Sequence, residues 1–188
     1  MALLIAGIMT WSLVHLFPAF APSARENLVA KLGENPYKGL FSLLILAALA
    51  MIVFGWKSSV PSGVYVPPLM PGILSSIMVL AGLTLFFASQ FNGYFKRILR
   101  HPQMVGTLLW AGAHLLTNGD SRSLALFGSF AVWAIFEIVL CNRRDGPRFE
   151  LPAASAKFDI IAIVIGCVAW AIVGHFHLKL FGVAPIPV

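Results

Sequence analysis

"MVGTLLWAGAHLL" occupies residues 104–116. Its reading decides how often the chain crosses a membrane. A crossing helix needs roughly 17–25 apolar residues, and this run has 13. "RHPQ" precedes it and "TNGD" follows it. As a crossing it must borrow polar residues at each end or lean on its neighbours. That reading makes six helices. The alternative is five crossings with this segment re-entrant.

The rest of the chain favours a membrane. Of 188 residues, 59% are hydrophobic and 11% charged, with a mean hydropathy of +0.88. A soluble domain carries roughly 25% charge, so too little polar surface is available to cover a globule. The expectation is one compact transmembrane domain over residues 1–188. The net charge of +6 does not point to nucleic acid. The basic residues lie between apolar runs, where anionic lipid headgroups meet them. The two cysteines, Cys141 and Cys167, form neither the CxxCH of covalent haem nor a CxxC metal pair. The first apolar run resembles a signal peptide, with small residues in "FAPSA". No Lys or Arg precedes it and it spans about twenty residues, so it reads as a retained transmembrane helix.

Apolar runs fall at residues 2–21, 39–56, 71–89, 104–116, 124–140 and 160–176. An all-α, polytopic bundle of about six transmembrane helices follows. Charge orients it. Arg25, Lys31, Lys38, Lys96, Arg97, Arg100, Arg143, Arg144, Arg148 and Lys157 fall in the first, third and fifth loops; Lys57, Arg122 and Lys179 lie on the other side. This asymmetry places the ten-residue side in the cytoplasm. Both termini then lie outside it, in the periplasm if the membrane is a bacterial inner membrane. "RENLVAKLGENPYKG" reads as a short interfacial helix ending near Gly33. "SSVPSGVYVPPLMPG" reads as an extended outer loop, and Asp145-Gly146-Pro147 as a turn.

Within the short run, Gly106, Trp110 and His114 recur every four residues, as Gly7, Trp11 and His15 do in the first run. Residues at this spacing share one helix face. Glycine leaves a notch for another backbone or a flat ligand, tryptophan a wide apolar wall, and histidine a metal-binding nitrogen. A looser copy is Gly166, Trp170 and His175, with His177 close behind. Glycine and tryptophan also serve plain helix packing. An intramembrane histidine is costly and by default a functional candidate, so His15 and His114 carry the argument. His101, before Pro102, suits a cap or headgroup contact equally well. His175 and His177 lie near the outer end of the last run. Glu137 is the one carboxylate deep within a run and should be neutral or paired, with His15, Gln90, Asn92 and His101 as inner-half partners.

"RHPQMVGTLLWAGAHLLTNGD", continuing through "SLALFGSFAVWA", resembles the signature of the NnrU family. "HLFPAFAPSARENLVAKLGENPYKGLF" resembles its first helix and loop, and "HLKLFGV" its last helix. The resemblance implies an integral membrane protein associated with nitrite and nitric oxide reduction in denitrifying bacteria. Partners would be an electron donor or the denitrification enzymes. The family is in turn similar to 15-cis-zeta-carotene isomerase, a haem b protein with histidine-held iron. By that similarity His15 and His114 fall on ligand positions, and His101 on the "HPQ" histidine. The isomerase has a cysteine three residues before its "AH" histidine; this chain has Ala111. A thiolate/imidazole switch is therefore not available there.

The expected site is thus non-covalent haem b, with His15 and His114 as metal ligands and Gly106, Trp11, Trp110 and His101 around the cofactor. Opposed helix directions leave a difficulty. His15 falls in the cytoplasmic half and His114 in the outer half, with depths differing by roughly 10 Å. Otherwise His114 with His175 or His177 is the better geometric pair. The reversed halves are the pattern of an inverted repeat, though their outer helices match poorly. Two other functions stand beside a haem-dependent redox role: a haem-dependent cis-trans isomerase of a conjugated polyene, and a non-haem transporter or assembly factor. Substrate and oligomeric state have no signal in the residues.

Overall fold

A computed structural model describes residues 1–68, 72–146 and 153–184. Arg148 and Pro147 of the expected cytoplasmic loop lie outside these. Eight helices follow in order among the described residues: α1 (Ala2–Phe20), α2 (Pro22–Leu32), α3 (Glu34–Ser58), α4 (Gly72–Ala88), α5 (Tyr94–Leu99), α6 (Pro102–Leu115), α7 (Ser121–Asp145) and α8 (Ala156–Phe181). No strand occurs among them.

Each of the six apolar runs falls on a helix among the described residues. Four helices, α1, α3, α7 and α8, are long and apolar enough to cross a membrane. α4 is a shorter apolar helix of 17 residues. α6 has 14 residues, which is about 21 Å of rise against roughly 30 Å of hydrocarbon. Its end is finished by side chains instead of further turns. Thr117 Oγ1 donates to Ala113 O at 3.1 Å and Asn118 Nδ2 to His114 O at 2.9 Å. The Tyr65 hydroxyl donates to Leu115 O and Asn118 O. The orphan carbonyls of a helix terminus are met in this way. The interfacial helix is present as α2, with no buried residue, and its cap Gly33 has φ 87°.

Lateral order follows from small-residue contacts. α3 packs antiparallel on α1, where a methyl built at Gly7 would lie 2.8 Å from Ile52 N. α1 packs against α7, α7 against α6, α6 against α4, and α4 against α8. Gly82 faces Gly106, and Gly166 of α8 faces Thr84. Close backbone approach of this kind drives helix association where lipid tails match the core in polarity. The outward surface is apolar, with Leu13, Phe54, Ile163 and Val168 exposed. An outward surface this apolar suits a lipid environment.

Both faces of the bundle are clasped. On the basic face, Asp159 of α8 accepts from the backbone N–H of Tyr94 and Phe95 at 2.8 and 3.1 Å. On the opposite face the extended loop after α3 is strapped to the end of α6. Val64 N–H donates to Gly119 O at 2.8 Å and Ser121 N–H to Ser62 O at 2.8 Å. A side chain at Gly119 would collide with Tyr65 O.

Candidate functional site

The two motif copies share one local geometry. His15 Nδ1 donates to Trp11 O at 3.0 Å, and His114 Nδ1 donates to Trp110 O at 2.7 Å. A carbonyl only accepts, so the hydrogen sits on Nδ1 in both rings. Nε2 is then the nitrogen left for a ligand. Such a bond to a carbonyl is the usual way of orienting a metal-binding imidazole. The glycine of each copy has a different task. Gly7 lies against the α3 backbone, and a methyl built at Gly106 would collide with Gly82 O. Of the two occupants expected for these notches, both hold a backbone. Gly106 is buried in a helix contact and offers no surface to a cofactor.

The surroundings diverge. His15 is ringed by Trp11, Phe41 and Trp133 at centroid distances of 4.2, 5.6 and 5.3 Å. His114 stacks on Phe127 at 4.3 Å with planes 22° apart, and its ring lies 6.4 Å from His177, again at 22°. Phe130 separates the two ends, 5.6 Å from Trp11 and 5.8 Å from Trp110. His15 lies at the level of Trp133 and His114 at that of Phe127, six residues apart on α7. That is about 9 Å of depth. The structure does not bring His15 and His114 together.

It brings His114 to His177 instead, with His175 on the wall of the same cavity. These three border one cavity of about 460 Å3, with Trp56, Trp110 and Arg122 also on its wall. Cavities of roughly 300–1,000 Å3 hold drug- and cofactor-sized ligands. The helices curve around it, so that both α3 and α8, the two ends of the packing row, line it. His177 Nδ1 donates to Val183 O at 2.9 Å, so its Nε2 is also left over. A π-helical turn over Leu124–Gly128 opens α7 and sets the buried Phe127 against both His114 and Trp110. Turns of this kind recur at functional sites. Nothing in the pattern of "LALFG" announces it.

The cavity has a polar end at the opposite face. Asp120 caps α7: its Oδ1 accepts from the N–H of Arg122 and Ser123, both at 3.0 Å, and its Oδ2 from Ser123 Oγ at 2.5 Å. Burial works against the charged form of Asp120. The Ser123 hydroxyl, the two N–H groups and the Arg122 charge outweigh it and hold the carboxyl below its ordinary value. Burial and the Asp120 charge push the Tyr65 phenol up. Arg122 lies 4.0 Å over the Trp56 ring, and its Nη1 donates to Trp56 O at 3.3 Å.

Two other expected residues stand elsewhere. His101 is the N-cap position of α6 but its side chain makes no cap bond; its ring bonds Asn142 of α7 through Nε2 at 2.9 Å. It lies 13 positions before His114 on α6, about 20 Å away along the axis, and so cannot join the same ligand sphere. Glu137 is half-buried and meets none of its expected partners. Cys141 Sγ approaches Oε1 at 3.8 Å, and Oε2 is buried without a partner. Among the described residues no group of three or more His, Cys, Asp or Glu gathers to hold a metal ion. Arg122, Trp56 and Phe127 are site residues that spacing alone did not find.

The family model for NnrU protein matches residues 3–185. No curated protein and no solved structure matches the chain. The chain belongs to the NnrU family.

Proposed function

We propose that this NnrU-family membrane protein binds haem b non-covalently in the cavity beneath its non-basic face, with His114 and His177 as the residues that would hold it. One observation carries the reading: two imidazoles from different helices, each with Nδ1 engaged by a carbonyl, stand 6.4 Å apart at the wall of one cavity. Rings sharing one metal through two bonds of about 2 Å have centres roughly 6 Å apart. The walls suit a flat apolar macrocycle, with Trp110 and Phe127 against His114. Bound haem would supply one-electron chemistry at iron, its potential set by axial ligands and burial. The protein's part is to hold the imidazoles oriented through their carbonyl bonds and to keep lipid and water off the ligand face. His15 and His114, the pair first expected, have Phe130 and two tryptophans between them.

The wider setting belongs to the same proposal. The split of basic residues supports both termini lying outside the cytoplasm, which is the periplasm if the membrane is a bacterial inner membrane. The family resemblance supports a redox role beside nitrite and nitric oxide reduction, with an electron donor as partner.

An optical spectrum of detergent-purified protein, expressed with ample haem, tests this. A Soret band is expected. His114→Ala and His177→Ala should each move it toward high spin and weaken retention, whereas His15→Ala should change it little. Loss on His15→Ala with no effect of His177→Ala would restore the His15–His114 pair. Absence of haem from well-folded protein overturns the reading. Turnover of an added polyene by the reduced protein would establish the isomerase alternative.

A further inference from the structure

We infer that Arg122 and the indole N–H of Trp56 receive a carboxylate of the cavity's ligand, a propionate under the haem reading on which this inference rests. Both residues line the cavity. Arg122 Nε and Trp56 Nε1 are each buried, and neither has a hydrogen-bond partner among the described residues. Buried donors are rarely left unmet, because each forfeits its hydration without replacement. Both groups donate only, so what completes them must be an acceptor. They stand together, since the guanidinium lies 4.0 Å over the Trp56 ring.

The protein's own carboxylate does not fill this role. Asp120 Oδ1 is 4.0 Å from Arg122 Nε, beyond a hydrogen bond. Its oxygens are already engaged by two backbone N–H groups and the Ser123 hydroxyl. Arg122 is meanwhile held in place by Trp56 O at 3.3 Å. A guanidinium fixed on one side with Nε still to satisfy suits a carboxylate, which the arginine fork matches in plane. Lys57 adds a second positive charge at the cavity wall. Deeper in, the wall is apolar, with Ile52, Leu126 and Trp170. A ligand with an apolar plate and an acidic edge fits both ends, and its edge would lie toward the aqueous boundary.

The test compares haemin with its dimethyl ester, in which the propionates carry no charge. Haem-depleted full-length protein in detergent is titrated with each, followed by the Soret band and by quenching of tryptophan fluorescence. The wild type should bind haemin roughly tenfold or more tightly than the ester, the size expected of a charge-assisted hydrogen bond. Arg122→Gln should remove that preference, and Arg122→Lys should restore part of it. Equal wild-type affinity for acid and ester overturns the inference and leaves the haem reading standing. A preference that survives Arg122→Gln overturns it as well. Failure to bind either compound sinks the haem reading itself. The wild-type comparison needs no substitution, so a poorly folded Arg122→Gln protein cannot hide the answer.

Discussion

The chain builds the same histidine twice and surrounds it differently each time. At His15 and at His114 the imidazole is tied to the tryptophan carbonyl one turn back, and the glycine one turn before that receives a neighbouring helix. The inner copy is closed over by Trp11, Phe41 and Trp133. The outer copy opens on a cavity that it shares with His177. A helical stripe can therefore orient a nitrogen, but the neighbouring helices decide whether anything reaches it. Part of the difference comes from the π-helical turn of α7, which packs on both α1 and α6 but stacks its Phe127 on His114 alone of the two histidines.

The strongest way to break this comparison is to remove the ring that sets the outer copy apart. Phe127 is buried and stacks on His114. Phe127→Ala should cost about 3–5 kcal/mol, the usual range for emptying a buried phenylalanine site. It should also loosen haem in step with His114→Ala. Phe41→Ala, on the half-buried wall of His15, should cost clearly less and leave haem retention unchanged. Thermal unfolding in detergent with the Soret band as second readout separates the two. Equal losses at both positions would mean the copies are not distinguished by their walls.

The feature shared by the two copies is tested at the glycines. A methyl at Gly106 would meet the Gly82 carbonyl, and one at Gly7 would come within 2.8 Å of Ile52 N. Neither backbone can step aside cheaply, so Gly7→Ala and Gly106→Ala should each destabilise by about 1–3 kcal/mol. Gly174→Ala, where nothing lies within 4 Å, should show no such loss. A tolerated Gly106→Ala would argue that α4 and α6 are not in contact there, and that the notch is free for a ligand after all.

Much of this was legible in the residues. The six apolar runs, the end of α2 at Gly33, the helical stripes and the depth mismatch of His15 and His114 all follow from spacing and charge. The order of helices around the cavity does not. In a membrane both lipid-facing and core-facing sides are apolar, so hydrophobic periodicity loses the contrast that marks a buried face in water. Leu13 of α1 is exposed and Leu4 fully buried, yet they are the same residue type. The π-helical turn adds one residue to a helix without changing its composition. Arg122 and Trp56 meet across 66 positions, a distance over which no local pattern speaks. His177 was legible as an alternative to His15, because charge-derived topology had already placed it at the same depth as His114.

The smallest expected effect concerns acid, and it too should fall on one copy only. Asp120 caps α7 immediately before the π-helical turn, so the outer site rests on a titratable group. The groups facing it are Ser123, Arg122 and Tyr65. Folding lowers its pKa. The sign follows directly: its contribution is fully present above the ordinary aspartate value of about 4 and is lost as pH falls through the depressed folded value. Loss of an N-cap costs roughly 0.5–2 kcal/mol. Acidification below about 4 should therefore weaken the wild type by at most that order, beyond whatever other carboxylates contribute. Asp120→Asn keeps a capping oxygen and removes the titration, so the variant should be less sensitive to acid in that range. Asp120→Ala should be weaker than both near neutrality, and its gap to the wild type should narrow as the carboxyl is protonated. Melting curves across pH for the three proteins measure this. Parallel acid profiles for wild type and Asp120→Asn would show that the cap carries no pH-dependent stability, and that the outer copy is held open by its packing alone.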